Sequence, residues 1–228
     1  MRREVPAILL LIVGGALLRI TLGGSYLNYV KASTKPFLLV TAAVLLVLGA
    51  LTLLDVVRGR SADVHAPKSA WLLLLPVAAV FLIAPGPLGS FSAARETSMV
   101  AAPTAQDSGP PPLPAGDPVA VPLDEYAIRA VWDDGRTLAG RQVQLVGFVT
   151  PDADGGWILT RMSVSCCAAD AVPTKVKPVG EVPGLPANTW VEVTGTYAPG
   201  GGTQSTAAVP WVSVKDVREI PAPTNPYL

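Results

Sequence analysis

The two cysteines of this 228-residue chain are adjacent, at Cys166 and Cys167, in the stretch SVSCCAADAVP, residues 163–173. An aspartate, Asp170, follows the pair by three residues. Two neighbouring thiolates favour soft ions such as Zn(II) or Cu(I), and a carboxylate can supply a further ligand. One hypothesis for this stretch is therefore a metal site formed by Cys166, Cys167 and Asp170.

A structural disulfide explains the adjacent cysteines poorly. Consecutive Cα atoms lie about 3.8 Å apart, whereas a disulfide prefers a separation of about 4.4–6.8 Å. A bond between neighbours would close almost no loop and would therefore stabilise the fold little. Its strain would make it easy to reduce, which suits a thiol redox switch, although the usual C-x-x-C spacing is absent. A third interpretation is structural, with one cysteine in the core and the other on the surface.

Two observations limit the metal hypothesis, and a third, on Arg161, is open in its meaning. The single histidine, His65, lies in the loop after the second apolar segment, so the C-terminal part of the chain cannot complete a Cys/His zinc site alone. On a regular strand Cys166 and Cys167 would point to opposite faces, so both reach one ion only where the strand ends or bulges. Arg161 precedes the pair by five residues and either supports a thiolate or is an outward charge on a strand.

Three apolar segments in the first ninety residues are long enough to cross a bilayer: 5–24, 36–54 and 71–90. The first is more typical of a retained helix than of a cleaved signal peptide, because it is long and no A-x-A site follows it. The distribution of lysine and arginine places the N-terminus inside the cell. We therefore expect a multi-pass protein of the cell membrane, with residues 1–91 as its membrane region and the C-terminal domain outside the cytoplasm.

The rest of the chain divides by composition. Residues 92–120 are rich in proline and alanine and predict an extended linker. Residues 121–222 predict an all-β domain with one short entrance helix, and residues 223–228 form a tail. The β-rich runs of residues 121–222 are separated by turns, and they favour a small OB-like five-stranded barrel, with a small sandwich as the alternative. The predicted helix covers 123–134, and the predicted strands cover 141–150, 156–165, 171–179, 188–198 and 209–220.

Composition also argues against two classes of function. The formal net charge is zero, and the soluble part lacks the basic, aromatic-rich face of a nucleic-acid-binding domain. The sequence shows no Ser-His-Asp set, no phosphate-binding loop and no carboxylate pair suited to hydrolysis. We expect neither a nucleic-acid partner nor an enzymatic activity.

The stretch LTRMSVSCCAADAVPTKVKPVG, with GFV upstream, WVEVTGTY downstream and a terminal IPAPTNPYL, resembles the YcgQ-like family of small bacterial membrane proteins. The similarity extends to the apolar N-terminal part and leaves out the proline-rich linker. Its signature, R-x-x-x-x-CCAADA, falls on Arg161 and residues 166–171. The resemblance implies an accessory subunit, embedded in the lipid bilayer, of a larger polytopic permease.

Together these observations predict an integral membrane accessory subunit. Its extracytoplasmic barrel would bind a soft metal or metalloid ion, such as Zn(II), at Cys166, Cys167 and Asp170, with Arg161 in support. The alternatives are a thiol redox switch or sensor of the cell envelope and a non-catalytic scaffold or binding module.

Overall fold

A computed structural model of the chain describes residues 5–58, 72, 74–83, 86–102 and 110–228. The chain folds into two compact units, Met1–Pro87 and Leu88–Leu228. The second unit therefore begins ahead of residues 92–120, the segment for which the sequence predicts a linker. His65 lies outside the described residues, so the structure does not place it.

The first unit contains two helices, α1 (Val5–Leu22) and α2 (Lys35–Val57), that are long and apolar enough to cross a membrane. Signal sequences and buried core helices share these properties, so the two helices are compatible with membrane insertion without establishing it. They coincide with the first two predicted segments. Within the third, 71–90, the structure describes a shorter helix, α3 (Leu74–Ile83), and residues 71, 73, 84 and 85 lie outside the described residues.

Small residues allow α1 and α2 to approach closely. A Cβ atom at Gly49 would lie 2.9 Å from Cγ of Leu11, and one at Gly14 would lie 3.1 Å from Cβ of Leu45. Small residues at helix contacts are typical of helices that pack in an apolar environment, where close backbone approach replaces the hydrophobic driving force.

In its described residues, the second unit is a mixed six-stranded sheet with two α-helices. The sheet has the order β1-β2-β3-β4-β6-β5, and β2 also pairs with β5. The β1–β2 and β4–β6 pairs are parallel and the others antiparallel. Its elements are α4 (Ser90–Arg95), β1 (Val119–Ala120), α5 (Leu123–Trp132), β2 (Gln142–Pro151), β3 (Trp157–Ser163), β4 (Val172–Val179), β5 (Trp190–Ala198) and β6 (Trp211–Glu219).

The predicted entrance helix is confirmed as α5, and each of the five β-rich runs forms a strand. The expected five-stranded barrel is not confirmed, because the strands form a mixed six-stranded sheet and not a clean barrel. The additional strand, β1, is only two residues long and comes from the end of the segment predicted as a linker. It pairs with residues of β2 that lie more than twenty positions away in the sequence. Two residues are too few to show the alternating pattern from which a strand can be predicted.

The core of the sheet depends on close strand contacts at two glycines. A Cβ atom at Gly147 would lie 2.7 Å from the carbonyl oxygen of Thr160, and one at Gly195 would lie 2.4 Å from that of Ser213. A side chain at either position would therefore push the backbone of a neighbouring strand away. Glycine inside a strand often marks such a close approach or a sharp bend.

In its described parts, the segment 92–120 is hydrogen-bonded to the β domain. The amide of Met99 donates to the carbonyl of Pro173 in β4 at 2.8 Å, and the buried Arg129 of α5 donates through Nη1 to the carbonyl of Pro111 at 2.7 Å. Ala93 of α4 is fully buried. The two hydrogen bonds use backbone groups of the segment, which every composition supplies, so a low apolar content does not prevent the segment from packing.

Candidate metal centre

The cysteine pair lies in the connection between β3 and β4. Ser163 pairs with Val172 as the last pair of this antiparallel ladder, and residues 164–171 form the turn between them, which we call the cysteine turn. Its second half is a short 3-10 helical turn, Ala168–Asp170. Because the strand ends before Cys166, the two cysteines are released from the alternation that would point them to opposite faces.

Asp170 organises the backbone of the cysteine turn. Its Oδ1 atom accepts a hydrogen bond from the amide of Ser165 at 2.8 Å. Its Oδ2 atom accepts from the amides of Cys166 at 2.8 Å and Cys167 at 3.3 Å. In return, the amide of Asp170 donates to the carbonyl of Cys167 at 3.0 Å. One carboxylate thus fixes the three residues that lead into and include the pair.

The ligand atoms of the three predicted residues converge. The Sγ atoms of Cys166 and Cys167 lie 3.5 Å apart, and these two atoms and a carboxylate oxygen of Asp170 all lie within 4.8 Å of one another. A disulfide bond would bring the sulfurs to about 2.0 Å, and both cysteines are free thiols. Cys166 is exposed and Cys167 is half-buried, so the sulfurs are accessible from solvent.

Charge and hydrogen bonding set the protonation of the turn. The thiol of Cys166 lies beside the Asp170 carboxylate and donates to the Sγ atom of Cys167, and hydrogen bonding to Asp170, then to Cys167, raises the pKa of Cys166 to about 12. The same thiol and the three backbone amides hold the pKa of Asp170 at about 2. At neutral pH the turn therefore presents a carboxylate beside a protonated Cys166 thiol. A cation that binds both sulfurs must displace that proton, because thiolates rather than thiols are metal ligands.

Arg161 does not join this group. Its side chain is buried, and its Nη2 atom donates to the carbonyl of Asn225 at 2.9 Å and to that of Tyr227 at 3.4 Å. The guanidinium carbon lies 5.0 Å from the centroid of the Trp190 ring. Burial lowers the pKa of Arg161. The structure thus brings together three of the four predicted site residues and places Arg161 against the tail.

Sequence reasoning missed the backbone amides as part of the site. The signal for them was the spacing of Cys167 and Asp170, which form the first and fourth residues of a capping box around the 3-10 turn. In such a box the fourth residue reaches back to the amide of the first. The spacing therefore carried a structural meaning for Asp170 in addition to its meaning as a metal ligand.

Comparison with known families covers the C-terminal part of the chain. Residues 126–228 match the family model described as the DUF1980 C-terminal domain. This range contains most of α5, strands β2 to β6, the cysteine turn and the tail, and the match is compatible with the YcgQ-like resemblance. No curated protein and no solved structure matches the chain. The candidate metal centre thus lies wholly within the region that matches the DUF1980 C-terminal domain.

Proposed function

We propose that this chain is a membrane-anchored accessory protein whose C-terminal domain binds a soft metal or metalloid ion through Cys166 and Cys167. The observation that carries the proposal is the convergence of two thiol sulfurs and the Asp170 carboxylate within 4.8 Å on one accessible turn. Neither a disulfide cross-link nor core packing explains this arrangement, because the two sulfurs are not bonded to each other and Cys166 is exposed.

The spacing of the sulfurs favours ions with bent coordination. At metal–sulfur distances of about 2.3 Å, sulfurs 3.5 Å apart subtend an angle of about 100° at the ion. Tetrahedral Zn(II) and pyramidal As(III) hold two sulfurs near such an angle. A linear two-sulfur complex, the arrangement open to Cu(I), needs sulfurs about 4.6 Å apart at the same bond length. Zn(II) and As(III) are therefore the ions that suit this turn best.

Asp170 has two tasks in this proposal. It organises the turn through the amides of Ser165, Cys166 and Cys167, and its negative charge attracts a cation to the sulfurs. As a third ligand it would leave a four-coordinate ion with one open position. Zinc sites with three protein ligands keep that position for water or a substrate, whereas structural sites are closed. The turn is thus suited to an ion that is received and passed on.

Membrane attachment and the partner are further parts of the proposal. The apolar helices α1 and α2 support anchoring in a bilayer. The lysine and arginine distribution supports a cytoplasmic N-terminus, and the three apolar segments, if all of them span, then place the cysteine turn outside the cytoplasm. The YcgQ-like resemblance supports a larger polytopic permease as the partner. Full-length tagged protein purified from its native membranes is expected to bring such a permease with it. Its reproducible absence would remove the partner from the proposal and leave the ion site standing.

The strand connections support an OB-like interpretation of the domain. Strands β2 to β6 pair in a ring, since β2 contacts both β3 and β5, and β1 is a sixth strand that pairs with β2. OB-like domains bind ligands on the face of their second and third strands, and the cysteine turn joins the second and third strands of this ring, β3 and β4.

The ion site is tested by titration of the full-length protein in detergent. We expect the reduced protein to bind one Zn(II) or As(III) per chain, and the variant Cys166→Ser/Cys167→Ser to lose this binding. Ser165→Ala is the matched control, because the turn uses the amide of Ser165, which alanine retains. Equal affinity in the wild-type protein and the double variant would contradict the proposal.

A further inference from the structure

The two ends of the cysteine turn are anchored in one buried apolar cluster. Val164, directly before the turn's exposed part, is 4% exposed, and Ala171, at its end, packs against the same cluster. The cysteines are thus carried on an accessible loop whose ends are held inside the domain. The anchoring cluster consists of Ala93, Phe148, Met162, Val164 and Tyr227, with Leu88, Ala171 and Trp190 packed against it.

The tail supplies the aromatic member of the anchoring cluster. Tyr227 is 2% exposed and forms a parallel bridge with Met162, the second-last residue of β3. The amide of Leu228 donates to the carbonyl of Met162 at 2.9 Å. The hydroxyl of Tyr227 accepts a hydrogen bond from the amide of Leu88 at 3.1 Å. The tail therefore joins the beginning of the second unit to the strand that leads into the cysteine turn.

Arg161 holds the tail in place. Its hydrogen-bond acceptors among the described residues are the backbone carbonyls of Asn225 and Tyr227, and its Nε atom has no partner there. The charge of Asp124 acts on Arg161, but no carboxylate of the described residues forms an ion pair with it. A buried guanidinium without such a pair is costly, and an apolar side chain of similar size would fill the position at a lower cost. An arginine at this position can donate hydrogen bonds to the backbone of the tail, and an apolar residue cannot.

We infer that Arg161 and residues 225–228 position the cysteine turn so that both thiols meet one ion, an inference that rests on the proposed function. Two sulfurs bind one ion tightly only when little motion has to be stopped on binding. Within the turn, Asp170 fixes the backbone, but nothing in that carboxylate fixes the turn relative to the sheet. The anchoring cluster does so, and Arg161 keeps the tail in the cluster. Arg161 is thus a positioning residue, without contact to the bound ion.

Replacement of Arg161 by methionine tests the inference in the full-length protein. Arg218→Met is the matched control, because Arg218 is exposed and pairs with Glu192 on the strand β6–β5 ladder. Two quantities are measured: hydrogen exchange of the amides of Ser165, Cys166 and Cys167, and affinity for phenylarsine oxide, which requires two thiols. For Arg161→Met we expect exchange to accelerate and affinity to fall, each about tenfold, as for the loss of a charge-assisted hydrogen bond. Arg218→Met is expected to change neither.

If Arg161 positions the turn, its replacement should weaken reactions that need both thiols and leave reactions of a single thiol nearly unchanged. In Arg161→Met, the rate at which iodoacetamide alkylates the cysteines is expected to stay within about twofold of the wild-type rate, since that reaction needs one thiol. If Arg161→Met does not fold, Tyr227→Phe decides, because it keeps the ring in the cluster and removes the hydroxyl that accepts from Leu88. It is expected to accelerate exchange in the turn by a smaller factor.

The outcomes distinguish this inference from the ion-binding proposal. Wild-type exchange in the turn of every folded variant would overturn the positioning role, whether or not the protein binds Zn(II). Equal losses of phenylarsine oxide affinity in Arg161→Met and Arg218→Met would overturn it as well. Faster exchange in Arg161→Met, in a protein that binds no ion in the titration above, would support the positioning of the turn and remove the proposed ligand.

Discussion

The Oδ2 atom of Asp170 accepts a hydrogen bond from the amide of Cys166 at 2.8 Å, and hydrogen bonding to the same carboxylate raises the pKa of the Cys166 thiol. The carboxylate thus fixes the turn and also keeps the nearer thiol protonated. These two effects oppose each other in metal binding, because an organised turn favours binding of the ion and a protonated thiol disfavours it. The balance between them can be measured separately at the sulfur and at the backbone.

The thiol side of this balance is tested by Asp170→Asn. Without the negative charge, the pKa of Cys166 is expected to fall from about 12 towards its ordinary value of 9.0, because the amide no longer stabilises the protonated thiol. At pH 8 more thiolate is then present, and alkylation of Cys166 by iodoacetamide should accelerate about tenfold, after allowance for the lower nucleophilicity of a weaker base. Mass spectrometry of the alkylated peptide gives the rate.

Asp154→Asn is the control for this experiment, since Asp154 is exposed and pairs with Lys177 instead of a cysteine. An unchanged alkylation rate in Asp170→Asn would show that the carboxylate does not govern the Cys166 thiol.

The backbone side is tested with acid. The pKa of Asp170 is lowered from 3.8 to about 2, so the ionised form is favoured in the folded turn. Its contribution to the turn is complete above about pH 4 and is lost as the pH falls through about 2. In nuclear magnetic resonance spectra, the amide signals of Ser165 and Cys166 should shift with a midpoint near pH 2. A midpoint at the ordinary value for an aspartate would mean that the amides do not hold the carboxylate.

The close strand contacts predict that replacement of glycine by alanine destabilises the domain at some positions and not at others. Gly195→Ala is expected to lower the free energy of unfolding by about 1–3 kcal/mol, because its Cβ atom would lie 2.4 Å from the carbonyl oxygen of Ser213. Gly156→Ala is the control, since a Cβ atom there meets nothing within 4 Å. Urea unfolding of the two variants compares them directly. Equal stabilities would mean that β5 and β6 do not pack as closely as described.

The proposed location of the cysteine turn is tested in intact cells. If the C-terminal domain lies outside the cytoplasm, a membrane-impermeant maleimide should label Cys166 and Cys167 without permeabilisation. The Cys166→Ser/Cys167→Ser variant gives the background, because the chain has no other cysteine. Labelling that appears only after the cells are permeabilised would place the domain on the cytoplasmic side and reverse the proposed topology.

Local patterns predicted much of this fold, and long-range contacts account for what they missed. The strands and α5 follow from periodicity within each segment, and the proximity of Asp170 to the cysteines follows from a spacing of three residues. The contact of Arg161 with the carbonyl of Asn225 spans 64 residues, and no local pattern encodes it. The hydrogen bond from Arg129 to the carbonyl of Pro111 uses a backbone acceptor that any residue could offer. Side-chain composition therefore could not reveal it.

The most direct test of the central claim is X-ray absorption spectroscopy of the full-length protein loaded with one equivalent of Zn(II). The account predicts two sulfur ligands at about 2.3 Å, with lighter atoms completing the shell. The Cys166→Ser/Cys167→Ser variant should show no sulfur. A zinc shell in the wild-type protein that contains only nitrogen and oxygen would contradict the claim that the adjacent cysteines bind one ion together.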